Sequence, residues 1–214
     1  FAGEAPPLLL LPKSMYSGGF PKAKALVTRP NALFTGTLTV DGREIAIDGW
    51  RGSQNHTWGS RHTDLYAWGQ VAGFDNHPES FLEVATARLK IGPFWTPPIT
   101  PLVLRHRQRD YALTGLLGAI RARGAFDYFN WKFKSETAEV DIDGVISAPR
   151  AAFVGLRYRN PPGGAKHCLN SKIAACRLRV RDKRSGVSEI LETKSRAAFE
   201  ILTSDADHGI AISA

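Results

Sequence analysis

Short runs in which apolar and polar residues alternate dominate this chain, and a period of two is typical of β-strands with one buried face. The first three runs cover residues 23–29, 33–40 and 43–48, and Asp41–Gly42 between the last two is a strong hairpin signal. About a dozen such strands, at intervals of roughly 8–14 residues, predict an all-β sandwich or barrel. Because neighbours in sequence pair naturally, we favour an up-and-down antiparallel barrel. The helix candidate lies at 112–122, where glycines weaken it.

Size and composition are those of a folded protein. The chain has 214 residues, with 43% hydrophobic and 22% charged residues, which argues against disorder. This length suits one large β-domain or two small ones. The sequence starts at Phe1, and "FAGEAPPLLLLPKS" resembles the interior of a longer chain. We therefore expect a missing N-terminal segment or a partner chain.

Charge and cysteine content limit the partners and the compartment. The net charge is +8, yet no nucleic-acid-binding signature accompanies the basic residues. We expect no nucleic acid partner, and instead peripheral contact with an anionic membrane surface or attraction to an anionic substrate. Cys168 and Cys176 fall on one predicted strand, about 26 Å apart at ~3.3 Å per residue, which is too far for a disulfide. Free thiols indicate a reducing compartment, and we predict a cytoplasmic protein.

Residues 49–74 hold the densest set of candidate chemical groups, including three tryptophans, a tyrosine and two histidines. Alternation places His56 and Trp58 on one face of a strand and Asn55 on the other. The next strand carries polar and aromatic groups on one face: Asp64, Tyr66, Trp68 and Gln70. Small barrels often hold one ligand inside, so this face predicts an interior that grips an apolar molecule beside a proton donor. A tryptophan-rich structural core explains the same pattern, and both interpretations stay open.

The segments "GSQNHTWG" and "YAWGQ" resemble the G-x-x-D-H-x-W-G signature of lipocalin-like proteins related to carotenoid 1,2-hydratase (hydroxyneurosporene synthase) and of the AttH-like proteins. The resemblance covers mainly residues 49–74. It implies two lipocalin-like barrels in a longer chain, so we predict the end of a first barrel in 1–92 and a second barrel in 93–214. It also implies hydration of an isoprenoid double bond without a cofactor, in which an acid protonates the alkene and aromatic rings stabilise the carbocation.

The resemblance places His56 and Trp58 on the H-x-W of the signature, with Asn55 where the family has aspartate. Because an amide cannot deliver a proton, Asp64 or the His56 imidazolium would have to be the acid. The predicted catalytic residues are Asp64, His56 and Tyr66. The predicted ligand-binding residues are Trp58, Trp68, Trp50, Asn55 and Gln70.

We therefore expect a lipocalin-like protein that binds a hydrophobic, isoprenoid or polyketide-like molecule and catalyses hydration, isomerisation or cyclisation by acid–base chemistry. The alternatives are a non-catalytic lipid- or terpenoid-binding protein and a structural β-domain. No cofactor and no metal are expected, since the histidines and cysteines lack the spacing of a four-ligand site. His77 is predicted to lie in solvent and His106 at the surface.

Overall fold

The computed structural model describes residues 5–161 and 163–213, so Phe1 and one proline of the Pro161–Gly164 turn lie outside the described residues. The described chain is almost entirely β-structure. Its strands are, in chain order, β1 (Leu8–Leu9), β2 (Ala23–Val40), β3 (Arg43–Gly59), β4 (Leu65–Ala72), β5 (Phe81–Arg88), β6 (Lys90–Ile91), β7 (Phe94–Trp95), β8 (Leu102–His106), β9 (Arg109–Leu113), β10 (Arg123–Phe126), β11 (Asn130–Glu136), β12 (Val140–Ser147), β13 (Val154–Arg159), β14 (Ala165–Asp182) and β15 (Ser188–Thr203). A helix, α1 (Leu116–Arg121), precedes β10, and short 3-10 turns occupy Lys13–Met15 and Arg150–Ala152.

Ten of these strands form one antiparallel sheet in the order β10-β11-β12-β14-β15-β4-β5-β8-β9, with β13 also paired to β14. The long strands β14 and β15 shift register between Ser171 and Cys176, where bulges let the pair bend. The sheet curls until β10 approaches β5, since a Cβ added to Gly124 would lie 2.0 Å from the Thr86 hydroxyl. The predicted all-β, lipocalin-like antiparallel fold is confirmed.

The interior of the curled sheet is filled with rings and aliphatic side chains. Trp131 is fully buried, with its ring centroid 5.1 Å from that of Phe133 and 6.0 Å from that of Phe199. The Trp131 indole donates a hydrogen bond to Thr86 Oγ1 at 3.0 Å, which joins β11 to β5 where the sheet closes on itself. Gly69 of β4 leaves room for this packing, because a Cβ there would come within 2.9 Å of the Trp131 ring. The interior of the described barrel is therefore a packed core.

This packing corrects the expectation that the polar and aromatic face of β4 lines the barrel interior. The inward face of β4 carries Ala67, Gly69 and Val71, which belong to the buried core. Alternation then turns Tyr66, Trp68 and Gln70 to the outside of the barrel. Because large side chains on β11 and β15 fill the interior, the inward face of β4 has room only for small residues opposite them.

A second sheet, β1-β2-β3, lies against the outside of the barrel. The two-residue turn at Asp41–Gly42 joins β2 to β3, with both residues at positive φ, as the sequence predicted for this hairpin. The chain changes from this sheet to the barrel sheet between Gly59 and Leu65, because β4 and β5 pair with β15 and β8. The change from one sheet to the other therefore lies before residue 92, the predicted domain boundary. The division of the chain into two barrels stays a prediction.

Among the described residues, no helix has both the length and the apolar character that a membrane crossing requires. Both cysteines are buried and free on the single strand β14, which confirms the predicted thiols.

Candidate functional site

The candidate site lies where the outer face of β4 and β5 meets the N-terminal sheet. A small hydrophobic cluster holds the two layers together and consists of Leu8, Leu10, Val27, Phe81 and Val103. These residues come from β1 and its flank, β2, β5 and β8, so side chains on the outer face of β5 are shielded from solvent by the second sheet. Polar groups within this layer are consequently desolvated.

Glu83 of β5 is the buried acid of this layer, with 2% of its surface exposed. The Trp68 indole donates a hydrogen bond to Glu83 Oε1 at 3.0 Å, while Oε2 is buried and has no hydrogen-bond partner among the described residues. Burial raises the pKa of Glu83 to about 7, although the indole hydrogen bond lowers it. A carboxyl group in this state holds a proton near neutral pH and can donate it.

A second carboxylate, Glu200 of β15, lies on the same outer face, since it pairs with Trp68 on one side and Asn170 on the other. The Tyr66 hydroxyl donates to Glu200 Oε1, and the Asn170 amide donates to Oε2 at 2.7 Å. Burial, and then the charge of Glu200, raise the pKa of Tyr66 well above its usual value. Tyr66 therefore stays protonated and serves as a hydrogen-bond donor.

Cys168 of β14 is a further protonated group near Glu200. Its Cα is paired with that of Leu202, the residue that also pairs with Tyr66. Burial first, and then the charge of Glu200, raise the pKa of the Cys168 thiol to about 12. The thiol is therefore neutral and a poor nucleophile.

A polar contact joins the barrel to β3 beside Glu83. Gln70 pairs with Glu83 across β4 and β5, and its amide donates to Asn55 Oδ1 at 3.3 Å. Ser53 Oγ donates to Gln70 Oε1. Asn55, which stands where the resembling family has aspartate, thus contacts a residue next to the buried acid. Two predicted ligand-binding residues, Asn55 and Gln70, are brought together here.

An open groove of about 580 Å³ runs past this contact. Its walls combine an indole, an amide, three cations and small residues: Gly49, Trp50, Arg51, Gly52, Gln70, Ala72, Lys172, Arg196 and Ala198. Trp50 is half exposed, and the Lys172 ammonium lies 5.5 Å from the Trp68 ring centroid. The groove therefore offers an aromatic surface with positive charge around it.

His56 and Trp58 occupy a different position from the other predicted residues. Their rings stack with centroids 5.1 Å apart, and Trp58 also lies 5.9 Å from Tyr16. Both residues are exposed. Because Asn55 points to the barrel, strand alternation turns His56 and Trp58 to the opposite face of β3. The structure thus separates them from Tyr66 and Trp68.

Asp64 is held as an ion at the start of β4. It pairs with Arg61, accepts a hydrogen bond from the Lys90 backbone N–H at 2.8 Å and lies 3.8 Å from the Lys166 ammonium. Partial burial alone would raise the pKa of Asp64, but the Lys90 N–H and the Arg61 guanidinium together outweigh this effect, so the pKa lies below its usual value. These contacts favour an anchoring role for Asp64 and leave it without a proton to donate at neutral pH.

Sequence reasoning missed Glu83, Glu200 and Asn170. The two carboxylates had a recognisable signal, because each is a lone acid within an apolar strand, in "FLEVATA" and "AAFEILT". An ionisable residue at such a position is either paired or has a shifted pKa.

Comparisons with known proteins agree with the fold. No family model matches the chain. An uncharacterised protein of Mycobacterium tuberculosis, found in two strains, is 26% identical over 171 residues, which cover 79% of this chain and 51% of that protein. The crystal structure of kievitone hydratase from Nectria haematococca superposes with a TM-score of 0.51 and 14% identity, covering 85% of this chain and 53% of the hydratase. The chain has the fold of that hydratase and spans about half the length of the proteins it matches.

Proposed function

We propose that this chain carries part of a cofactor-free, hydratase-type acid–base site that acts on a hydrophobic substrate, with Glu83 as the proton donor. The observation that carries the proposal is a buried carboxyl group with a pKa of about 7 and an unpartnered oxygen, on the residue of β5 that pairs with Gln70 of the groove wall. Support also comes from a fold shared with a protein described as a hydratase. We assign to Glu83 the role of proton donor that the sequence suggested for Asp64, because Asp64 is ionised at neutral pH.

The reaction adds water across a carbon–carbon double bond. Glu83 is 2% exposed and does not line the groove, so this step requires the substrate to displace the Gln70 side chain. Glu83 Oε2 then gives its proton to one alkene carbon, and the indoles of Trp50 and Trp68 stabilise the positive charge on the other carbon. Water attacks this carbon, and its surplus proton returns to the Glu83 carboxylate, so the acid is regenerated. Tyr66 and Asn170 hold the Glu200 carboxylate on the same outer face of the barrel, and we assign to Glu200 the role of holding the attacking water.

The proposed substrate class follows from the sequence signature. The resemblance to the carotenoid hydratase and AttH-like proteins implies an isoprenoid or polyketide-like substrate, and the exposed indole and small residues of the groove offer such a molecule an apolar surface. His56 and Trp58 face away from Glu83, so their participation requires substrate or further protein on the exposed face of β3. The relatives are about twice as long as the matched region.

The test is turnover of a panel of alkenes, polyenes and enones in ²H₂O, with mass spectrometry to detect products that have gained one ²H₂O. Glu83→Gln keeps the shape and the Trp68 hydrogen bond but has no acidic proton. It should lower the rate by roughly 10²–10⁴ with substrate affinity retained. Glu192→Gln changes an exposed carboxyl on β15 and is the matched control. Equal rates for Glu83→Gln and the wild type would reject Glu83 as the acid.

A second candidate is binding without catalysis, and the composition of the groove favours it. Trp50 and Gln70 line the groove together with Arg51, Lys172 and Arg196, whereas Glu83 is buried and does not line it. Three cations around an indole suit an amphipathic molecule that ends in a carboxylate. A protein that binds such molecules in the groove and converts none of the panel would be a carrier.

A further inference from the structure

Two turns at one end of the barrel bring together three metal-ligating side chains. His77 and Glu79 belong to the turn between β4 and β5, and His106 ends β8. One ligand atom from each lies within 4.8 Å of the other two, and His77 Nδ1 is 3.6 Å from Glu79 Oε1. The two imidazole rings meet edge to face, with centroids 5.0 Å apart. Backbone hydrogen bonds from Phe74 and Ser80 to the His77 carbonyl fix the turn.

Hydrogen bonding sets the orientation of the His106 ring. His106 is 3% exposed, which corrects the prediction of a surface position: the turn carrying His77 and Ser80 covers it. Its Nε2 lies 3.0 Å from Glu189 Oε2, while Arg107 pairs with the other oxygen of the same carboxylate at 2.8 Å. A carboxylate only accepts, so Nε2 carries the hydrogen and donates it.

The remaining nitrogen, His106 Nδ1, then presents a lone pair toward the cluster, where Ser80 Oγ donates to it at 2.7 Å. Ser80 Oγ also lies 3.3 Å from Glu79 Oε1. A histidine that donates one N–H to a carboxylate has the arrangement of a metal ligand with its supporting carboxylate. An ion bound at His106 Nδ1 would replace the hydrogen bond that this nitrogen accepts from Ser80.

We propose that His77, Glu79 and His106 form a binding site for a divalent zinc-type ion, supported by Glu189. Bonds of about 2.1 Å in tetrahedral geometry place ligand atoms ~3.4 Å apart, so the 3.6 Å between His77 and Glu79 already fits. The wider separations, which reach at most 4.8 Å, need to close by up to ~1.4 Å through side-chain rotation. Two imidazoles and one carboxylate select Zn²⁺ or Co²⁺ over Mg²⁺ and Ca²⁺, which prefer oxygen ligands.

The ion has a route into the site, because the side chains of His77 and Glu79 are 24% and 54% exposed. The fourth position belongs to Ser80 Oγ or to water. Ion binding joins the β4–β5 turn to the β8–β9 turn, and zinc at 100 times its Kd should raise the melting temperature by about 5–10 °C.

The chain Ser80–His106–Glu189 also resembles the order of a nucleophile, a base and an acid. Ser80 is fully buried, however, and no substrate can reach its hydroxyl in this arrangement. Catalysis at this serine is therefore not the role we assign. A set of hydrogen bonds with no metal affinity is the other outcome that the experiment distinguishes.

The experiment is a calorimetric titration of Zn²⁺ into the chain without a polyhistidine tag, after treatment with a chelator. We expect one saturable site, with affinity weakened at least ~10-fold by His77→Ala or Glu79→Gln and ~10–100-fold by Glu189→Gln. His56→Ala removes an exposed histidine of β3 and is the control, which should bind as the wild type does.

Cobalt provides an independent readout of geometry. Co²⁺ in the wild type should give the intense visible absorption of tetrahedral coordination, and His77→Ala and Glu79→Gln should lose it while their circular dichroism stays native. Both side chains are partly exposed, so these variants should fold. Absence of a saturable zinc site in the wild type, or zinc affinity that is equal in the wild type and both variants, would overturn the proposal.

Discussion

The buried carboxyl of Glu83 makes a quantitative prediction about stability and pH. In the folded protein its pKa is about 7 instead of the ordinary 4.5, because the second sheet shields it from water. At a pH between 4.5 and about 7, the folded protein therefore retains a proton on Glu83 that the unfolded chain has released. Stability from this group is fully present below about pH 4.5 and is lost as the pH rises through about 7.

The magnitude follows from the separation of the two pKa values. At ~1.4 kcal/mol per pH unit, the rise from 4.5 to about 7 corresponds to a loss of about 3 kcal/mol. Glu83→Gln removes the ionisation, and its carbonyl oxygen can still accept from Trp68. The variant should match the wild type within about 1 kcal/mol at pH 4.5 and exceed its stability by about 3 kcal/mol at pH 8.

Urea unfolding followed by tryptophan fluorescence, at pH values from 4.5 to 8, measures this difference. The quantity to plot is the unfolding free energy of Glu83→Gln minus that of the wild type. Glu192→Gln changes an exposed carboxyl on β15 and is the matched control with which the Glu83→Gln line is compared. A line for Glu83→Gln that stays flat across this pH range would refute a raised pKa in the folded state.

Three further predictions concern the fold around the site. Asp64→Asn should destabilise the protein by roughly 1.5–3 kcal/mol at pH 7, with the effect shrinking below pH 4, since a lowered pKa gives stability that is lost on acidification. Gly69→Ala should cost about 1–3 kcal/mol in urea unfolding, because its Cβ would approach the Trp131 ring at 2.9 Å; unchanged stability would contradict the packed interior. Thiol titration of the unfolded, non-reduced chain should find Cys168 and Cys176 both free, and a result of no free thiol would contradict the single strand.

Local sequence signals predicted much of the fold. The Asp41–Gly42 turn determines the β2–β3 hairpin, and alternation over "CLNSKIAAC" placed both cysteines on β14. The helix was expected within 112–122 and is present at Leu116–Arg121. These features depend on backbone preference and on periodicity, which a sequence displays directly.

The candidate site was harder to predict because alternation defines two faces of a strand without stating which one is inside. On β4 the choice depends on Trp131, some 60 residues away in sequence, which requires Gly69 opposite it. The burial of Glu83 likewise depends on β1 and β2 crossing the outer face of β5. His106 is buried by a turn that carries His77. Such long-range contacts determine the chemistry and leave little local signal.

The measurement that tests the account most directly is an NMR titration of the Glu83 side-chain carboxyl carbon in ¹³C-labelled protein, assigned with Glu83→Gln. We predict a chemical shift that changes with a midpoint near pH 7, and that responds when an apolar ligand occupies the groove beside Gln70. A midpoint near 4.5, with no response to ligand, would show an ordinary carboxylate and contradict Glu83 as the acid of this site.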